Sequence, residues 1–262
     1  MTPTPLSVPP RVSPEEWAVR RDLAALYRLV AHFGMTDLIY THISARVPGE
    51  ADHFLINRYG VLFGEMRPDT LVKIDHEGRA VGGEVVGGEA GETGRVNRAG
   101  FVIHSAIHAA RPDLACVIHT HTAAGVAVAA QEQGLLPISQ QALKFYGHLA
   151  YHDYEGIALD LDERQRLVRD LGPAHKAMIL RNHGLLAAGR SIPEAFSTIY
   201  MLETACQIQV KAQAGGATLH IPSEEVCRRT AAQYNRGGGD LEHYEFLWRS
   251  ALALIADQGA SR

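Results

Sequence analysis

The sequence is poor in cysteine. It has three, Cys116, Cys206 and Cys227, far apart and with no C-x-x-C pair. An odd, scattered set excludes a disulfide framework and a thiolate zinc cage, and it points to a reducing cytoplasm. A basic block is also missing: 25 Lys+Arg and 29 Asp+Glu are spread along the chain, with a net charge of −4. That leaves no electrostatic footprint for nucleic acid or an anionic membrane, so neither is an expected partner. No apolar window is long enough to cross a bilayer. The Pro-rich first residues contain no apolar core and do not read as a signal peptide. Gly82 to Gly100 holds seven glycines but no Gly-Lys-Ser/Thr ending, which excludes a phosphate-binding P-loop and leaves a surface loop or a lid. No internal repeat is visible.

What is present is a core and an order of elements. The hydrophobic fraction is 46% of 262 residues, ordinary for a globular chain. Residues 1–12 form an irregular arm. Ser13-Pro-Glu-Glu16 is a capping box that opens a helix with Leu23, Leu26, Tyr27 and Val30 on one face, ending at Gly34. Short β-like runs follow at 43–47, 53–57 and 71–75, the last turning back through 79–81. Helices are expected at 101–110, 123–131, 138–145 and 162–171, with strands at 149–151, 177–180 and 185–188. Ser191-Ile-Pro-Glu194 opens a long helix that stops at Gly215-Gly216. Two more helices, near 224–234 and 241–256, flank Gly237-Gly-Gly239. The simplest organisation is one α/β domain over 13–220 with a helical tail over 221–262 packed on it.

The chemistry concentrates in the histidines. Ala115-Cys-Val-Ile-His-Thr-His121 is an apolar strand running into two histidines at i, i+2. Alternation along a strand turns His119 and His121 to the same side, where they can share one metal ion. Cys116 sits on the opposite face and is a poor further ligand. His183 lies at the polar tip of Leu180-Arg-Asn-His-Gly-Leu-Leu186, between two apolar runs. Three imidazoles leave coordination positions open, as a catalytic site requires. Zinc is the first expectation for such a donor set, with manganese or iron as alternatives. His104 and His108 have i, i+4 spacing, but Ser105-Ala-Ile107 lacks the glutamate of a zinc-protease helix, so they read as packing and hydrogen-bonding residues.

With these pieces in place, the chain resembles the class II aldolase/adducin family. The resemblance rests on His119-Thr-His121, on Arg-Asn-His183-Gly-Leu and on the Ala110-Arg-Pro-Asp113 turn, and it runs from about residue 21 to 215. It implies a three-layer α/β/α fold around a mixed, largely antiparallel sheet. It also implies one divalent ion on His119, His121 and His183, and a homotetramer with sites at subunit contacts.

The departures from the family's sugar-phosphate aldolases are specific. The proton-moving glutamate falls on Gly100. The phosphate-binding serines fall on Arg98 and Ala99, the helping asparagine on His42, and a threonine on Tyr59 beside a kept Gly60. The tyrosine proton donor falls on Gln141. Asn97-Arg-Ala-Gly-Phe101, Leu135-Leu-Pro-Ile-Ser139 and Tyr151-His-Asp-Tyr154 look closer to the adducin head domain.

The expected function is therefore a metal-dependent lyase. It would decarboxylate, or cleave by retro-aldol reaction, a small unphosphorylated hydroxy- or keto-carboxylate. Arg98 would grip the carboxylate, and Gly60 and Gln141 would line the substrate. His42, Tyr151 and His152 are the candidates for proton transfer. A non-heme iron oxygenase and a non-catalytic adducin-like assembly module are the alternatives.

Overall fold

The computed structural model describes residues 12–81, 98–156 and 163–259. The N-terminal arm and most of the glycine-rich loop lie outside them. Ser13 caps α1 (Pro14–His32), its hydroxyl accepting from the Glu16 N–H at 3.1 Å. Strands β1 (His42–Val47), β2 (Glu50–Asn57) and β3 (Leu71–Asp75) follow, then α2 (Arg98–Ala110) and β4 (Cys116–Thr120). Next come α3 (Ala123–Ala129), α4 (Gln140–Leu143), β5 (Ala150–His152), α5 (Glu163–Leu171), β6 (Ala177–Leu180), β7 (Gly184–Gly189) and α6 (Ile192–Gln213). Helices α7 (Glu224–Tyr234) and α8 (Leu241–Leu252) complete the order.

The seven strands form one sheet, ordered β3-β2-β1-β4-β7-β6-β5. Every pairing is antiparallel except β5 with β6. The sheet is thus mixed and largely antiparallel, as expected. Alternation explains why its central strands read as unbroken apolar runs. Cys116 and Ile118 feed one core with Leu185, Ala187, α1 and α6, while Val117, Leu186 and Ala188 feed a second with α2 and α5. Both faces are covered, which gives the three layers. Tyr27 ties α1 to the sheet: its buried hydroxyl accepts the N–H of Ile43 at 2.8 Å and of Asn57 at 3.0 Å.

Some boundaries move. The helix expected at 138–145 shrinks to one turn capped by Ser139, whose hydroxyl takes the Ala142 N–H. The turn after β3 closes through Asp75, whose carboxylate accepts from the N–H groups of Glu77 and Arg79, and Ile74 and Ala80 then form an isolated bridge. The last helix tightens to 3₁₀ geometry from Ala253. Trp248 packs edge-on against Phe196 of α6 with ring centroids 5.7 Å apart, and it joins the α1–α6 core with Ala251 and Ile255. Among the described residues no helix is long and apolar enough to cross a membrane.

Candidate metal centre

His119 precedes the last residue of β4, on the face opposite Cys116 and Ile118. His121 follows the strand end, just before Thr122, which caps α3 by accepting the Gly125 N–H at 3.2 Å. His183 is carried by the β6–β7 turn. That turn needs Asn182 in the left-handed region, at φ 54°, a conformation Asn tolerates better than most residues. It also needs Gly184, because a Cβ there would stand 2.3 Å from the Thr120 carbonyl oxygen. The turn is thereby pressed onto the end of β4. The three imidazoles meet with ring centroids 4.6–4.8 Å apart, and one ligand nitrogen from each lies within 4.8 Å of the others.

Their hydrogen bonds decide which nitrogens face inward. His119 Nδ1 lies 3.0 Å from the Leu185 carbonyl and His121 Nδ1 lies 3.0 Å from Asp37 Oδ2. A carbonyl and a carboxylate only accept, so both Nδ1 atoms carry the proton and donate. Their Nε2 lone pairs then face each other at 2.8 Å. Two bare acceptors at that distance repel unless a proton or a cation stands between them. Burial, followed by the nearby His183, His42 and His121 rings, holds His119 well below the usual histidine range. Burial, with help from His121 and His152, lowers His183 to about 4. The donor set is thus oriented and crowded with lone pairs, which fits a divalent metal. The backbone carbonyl and the carboxylate are the outer-shell partners that metal-ligating histidines ordinarily have. Among the described residues, no carboxylate or thiolate joins this group to close it. All three cysteines are buried and unpaired, and burial pushes the Cys116 thiol up.

Beneath the triad is a second set of histidines. His42 pairs with His119 across β1 and β4, with rings 5.0 Å apart. Its Nδ1 lies 2.8 Å from His104 Nε2. His104 Nδ1 continues to Ser44 Oγ at 2.5 Å, and Ser44 Oγ to His108 Nε2 at 2.7 Å. The chain is fully buried, and burial pushes all three histidines well below their usual range. A Cβ on Gly100 would stand 2.4 Å from His42 Cδ2, so the imidazole fills the space a side chain at 100 would take.

The other expected site residues are dispersed. His152 is buried and held by Asp170 at 2.7 Å, and it lines a narrow crevice with Tyr154 and His183. Tyr151 points to the opposite face of β5: its hydroxyl accepts the Leu135 N–H at 3.0 Å, and the Arg181 guanidinium lies 4.4 Å from its ring centre. Gly60 occupies an exposed turn after β2 at φ 94°. Gln141 is half-buried on α4 and lines neither cleft beside the histidines. Arg98 opens α2, and its side chain lies outside the described part of the structure.

Two participants had no signal in the sequence. Asp37 reaches His121 across 84 positions. Glu203 of α6 is hydrogen-bonded by the Thr122 hydroxyl directly after the histidine pair. Arg181, Asn182 and Tyr154 border an open cleft of about 490 Å³ beside the His183 turn.

With this geometry established, comparison with known proteins is informative. The model of the Class II Aldolase and Adducin N-terminal domain matches residues 21–210. The chain belongs to that family. A Pseudomonas aeruginosa protein, provisionally named a class 2 aldolase, is 51% identical over 221 residues, covering 84% of this chain and 82% of its own. Rat alpha-adducin is 49% identical over 204 residues, 77% of this chain but 27% of the adducin. A solved aldolase II superfamily protein from Pseudomonas syringae, 50% identical, superposes with a TM-score of 0.86 over 94% of this chain and 96% of its own. An L-fuculose 1-phosphate aldolase from Glaciozyma antarctica, 28% identical, superposes at 0.79 over 97% and 96%. The class II aldolase fold is shared across the whole described domain.

Proposed function

We propose that the chain is a divalent-metal-dependent lyase that cleaves a carbon–carbon bond of a small, unphosphorylated hydroxy- or keto-carboxylate. The reaction is a decarboxylation or a retro-aldol cleavage. The observation that carries the reading is the pair of oriented Nε2 lone pairs on His119 and His121, with His183 closing a three-nitrogen site. Zinc suits three neutral imidazoles best, with manganese or iron as alternatives. A metal held there supplies a Lewis acid that polarises a carbonyl or hydroxyl oxygen.

The chain's own residues account for the rest. His42 stands where the family glutamate's side chain would begin, against Gly100. It is neutral at pH 7 and has Nε2 left over once Nδ1 is committed to His104. His42 is therefore the proton-transfer group, and His104, Ser44 and His108 orient it from behind. Arg98, two residues before Gly100 on α2, grips the substrate carboxylate in place of the phosphate-binding serine. His152, which lines the crevice beside His183, is the second candidate for proton transfer, whereas the Tyr151 hydroxyl is engaged by the Leu135 N–H on the other face of β5.

The assembly is a homotetramer in a reducing cytoplasm. Leu38 and Tyr40, beside Asp37, and Tyr154, beside His183, are all more than half exposed, as residues at a subunit contact near the site would be in an isolated chain.

The test is turnover of a panel of hydroxy- and keto-acids by zinc-, manganese- and iron-loaded protein, with release of carbon dioxide or an aldehyde as readout. Loss of turnover in His42→Asn and Arg98→Ala, with metal content unchanged, supports the assignment. A metal-loaded protein inert to every acid in the panel overturns it. The similarity to rat alpha-adducin favours a second reading, a non-catalytic assembly module. That reading requires a protein that assembles normally and binds no metal at the three histidines.

A further inference from the structure

A cavity of about 220 Å³ lies at the end of the sheet remote from the histidines, where β6 begins and β7 ends. Its walls include Lys144, Lys176, Glu194, Thr198, Asn235 and Tyr244. Lys144 is only 6% exposed. Its Nζ lies 5.5 Å from the Tyr244 ring centre and 5.8 Å from that of Phe145, and among the described residues it makes no ion pair or hydrogen bond. The segment is fixed through its backbone, where the Lys144 carbonyl accepts from Asn235 Nδ2 at 3.0 Å.

Glu194 is the only carboxylate in the cavity wall among the described residues, and it is already engaged. It takes Lys176 Nζ at 2.7 Å, Arg190 Nε at 2.9 Å and the Arg190 backbone N–H at 2.7 Å. A buried ammonium with no committed counter-charge is costly unless something supplies one. We propose that this cavity binds a small anion of carboxylate or phosphate type, for which Lys144 is the counter-charge. The volume is below the roughly 300–1,000 Å³ of pockets that take drug-sized ligands, so a compact ion fits and a nucleotide does not.

The same burial lowers Lys144 to about 8, with Glu194 pulling the other way and Lys176 adding to the shift. The amine is therefore mostly charged at pH 7 and loses its charge through about pH 8. Of the other groups facing the cavity, His148 and Glu194 are held below their usual values and Tyr244 above, while Lys176 is paired with Glu194.

The test is calorimetric titration of the whole protein with sulfate and, separately, malonate against chloride at matched ionic strength. The expected result is saturable binding of one anion per chain, unchanged in His183→Ala and at least tenfold weaker in Lys144→Met. Independence from His183→Ala separates this proposal from the metal-centre reading. Preference for sulfate identifies the phosphate class and preference for malonate the carboxylate class. Sulfate keeps its charge across the range, so its affinity should fall as pH rises past about 8. Binding no better than chloride, or undiminished in Lys144→Met, overturns the proposal. Should Lys144→Met not fold, a sulfate affinity that stays flat from pH 7 to 9 in the unaltered protein overturns it equally.

Discussion

His42 and Gly100 share one volume: the imidazole lies where a side chain at position 100 would have to go, with Cδ2 2.4 Å and Nε2 2.8 Å from an ideal Cβ. The absence of a side chain at 100 and the position of the His42 ring are thus linked. The pairing predicts non-additive mutations. Gly100→Ala should cost about 1–3 kcal/mol through overpacking. In a His42→Ala background most of that cost should vanish. Urea unfolding of the two single variants and the double variant checks it. Additive losses would mean the ring yields easily and the volume is not contested.

The orientation of His121 by Asp37 predicts a graded effect on metal. His183→Ala removes a donor and should abolish stoichiometric binding. Asp37→Asn keeps the shape but weakens the hold on the His121 Nδ1 proton, and outer-shell losses of this kind typically cost roughly 10–100-fold in affinity. Competition with a chromophoric chelator would measure both. Equal affinity in Asp37→Asn and the unaltered protein would detach Asp37 from the site.

The sheet and the triad were legible in the sequence for the same reason. A buried strand advertises itself as an apolar run, and His119, His121 and His183 sit at the points where such runs break. The two cores on either face of β4 follow from strict alternation, Cys116 and Ile118 one way and Val117 and His119 the other. Asp37, Glu203 and the contact of His42 with Gly100 were not legible, because each depends on an approach between segments far apart in the chain. Periodicity reports which face a residue occupies, not what lies opposite it. Tyr151 shows the limit from the other side. The resemblance places its segment near the site, and the alternation of β5 sends the phenol to Leu135.

The buried histidines beneath the site predict a loss of stability at acid pH. Burial, ahead of all other causes, holds His104 and His108 well below 6.5 in the folded protein, whereas the unfolded chain titrates near 6.5. Above pH 6.5 both states are neutral and these residues add no pH dependence. Below it the unfolded chain takes up protons that the folded chain refuses, so stability falls as pH drops, by up to about 1.4 kcal/mol per pH unit for each group. His108→Leu should flatten the slope of unfolding free energy between pH 6.5 and 5 by about one group's share. An unchanged slope would show that His108 is protonated in the folded state.

Gly184 offers the sharpest separation of fold from site. The atom that a Cβ would meet there is the Thr120 carbonyl oxygen, at 2.3 Å, with His121 Cδ2 next at 3.2 Å. A backbone carbonyl within a strand cannot rotate away, so the β6–β7 turn must retreat from β4. His183 rides on that turn, while His119 and His121 ride on β4 and the residue beyond it. Gly184→Ala should therefore pull His183 off the other two rings without touching a ligand. The expected result is a chain that keeps its secondary structure and loses about 1–3 kcal/mol of stability. Its metal affinity should drop nearly as far as in His183→Ala. Circular dichroism, urea unfolding and chelator competition on the same sample measure the three quantities. Full metal affinity in a destabilised Gly184→Ala would show that the turn gives way elsewhere, and that the close approach to Thr120 does not position the third histidine.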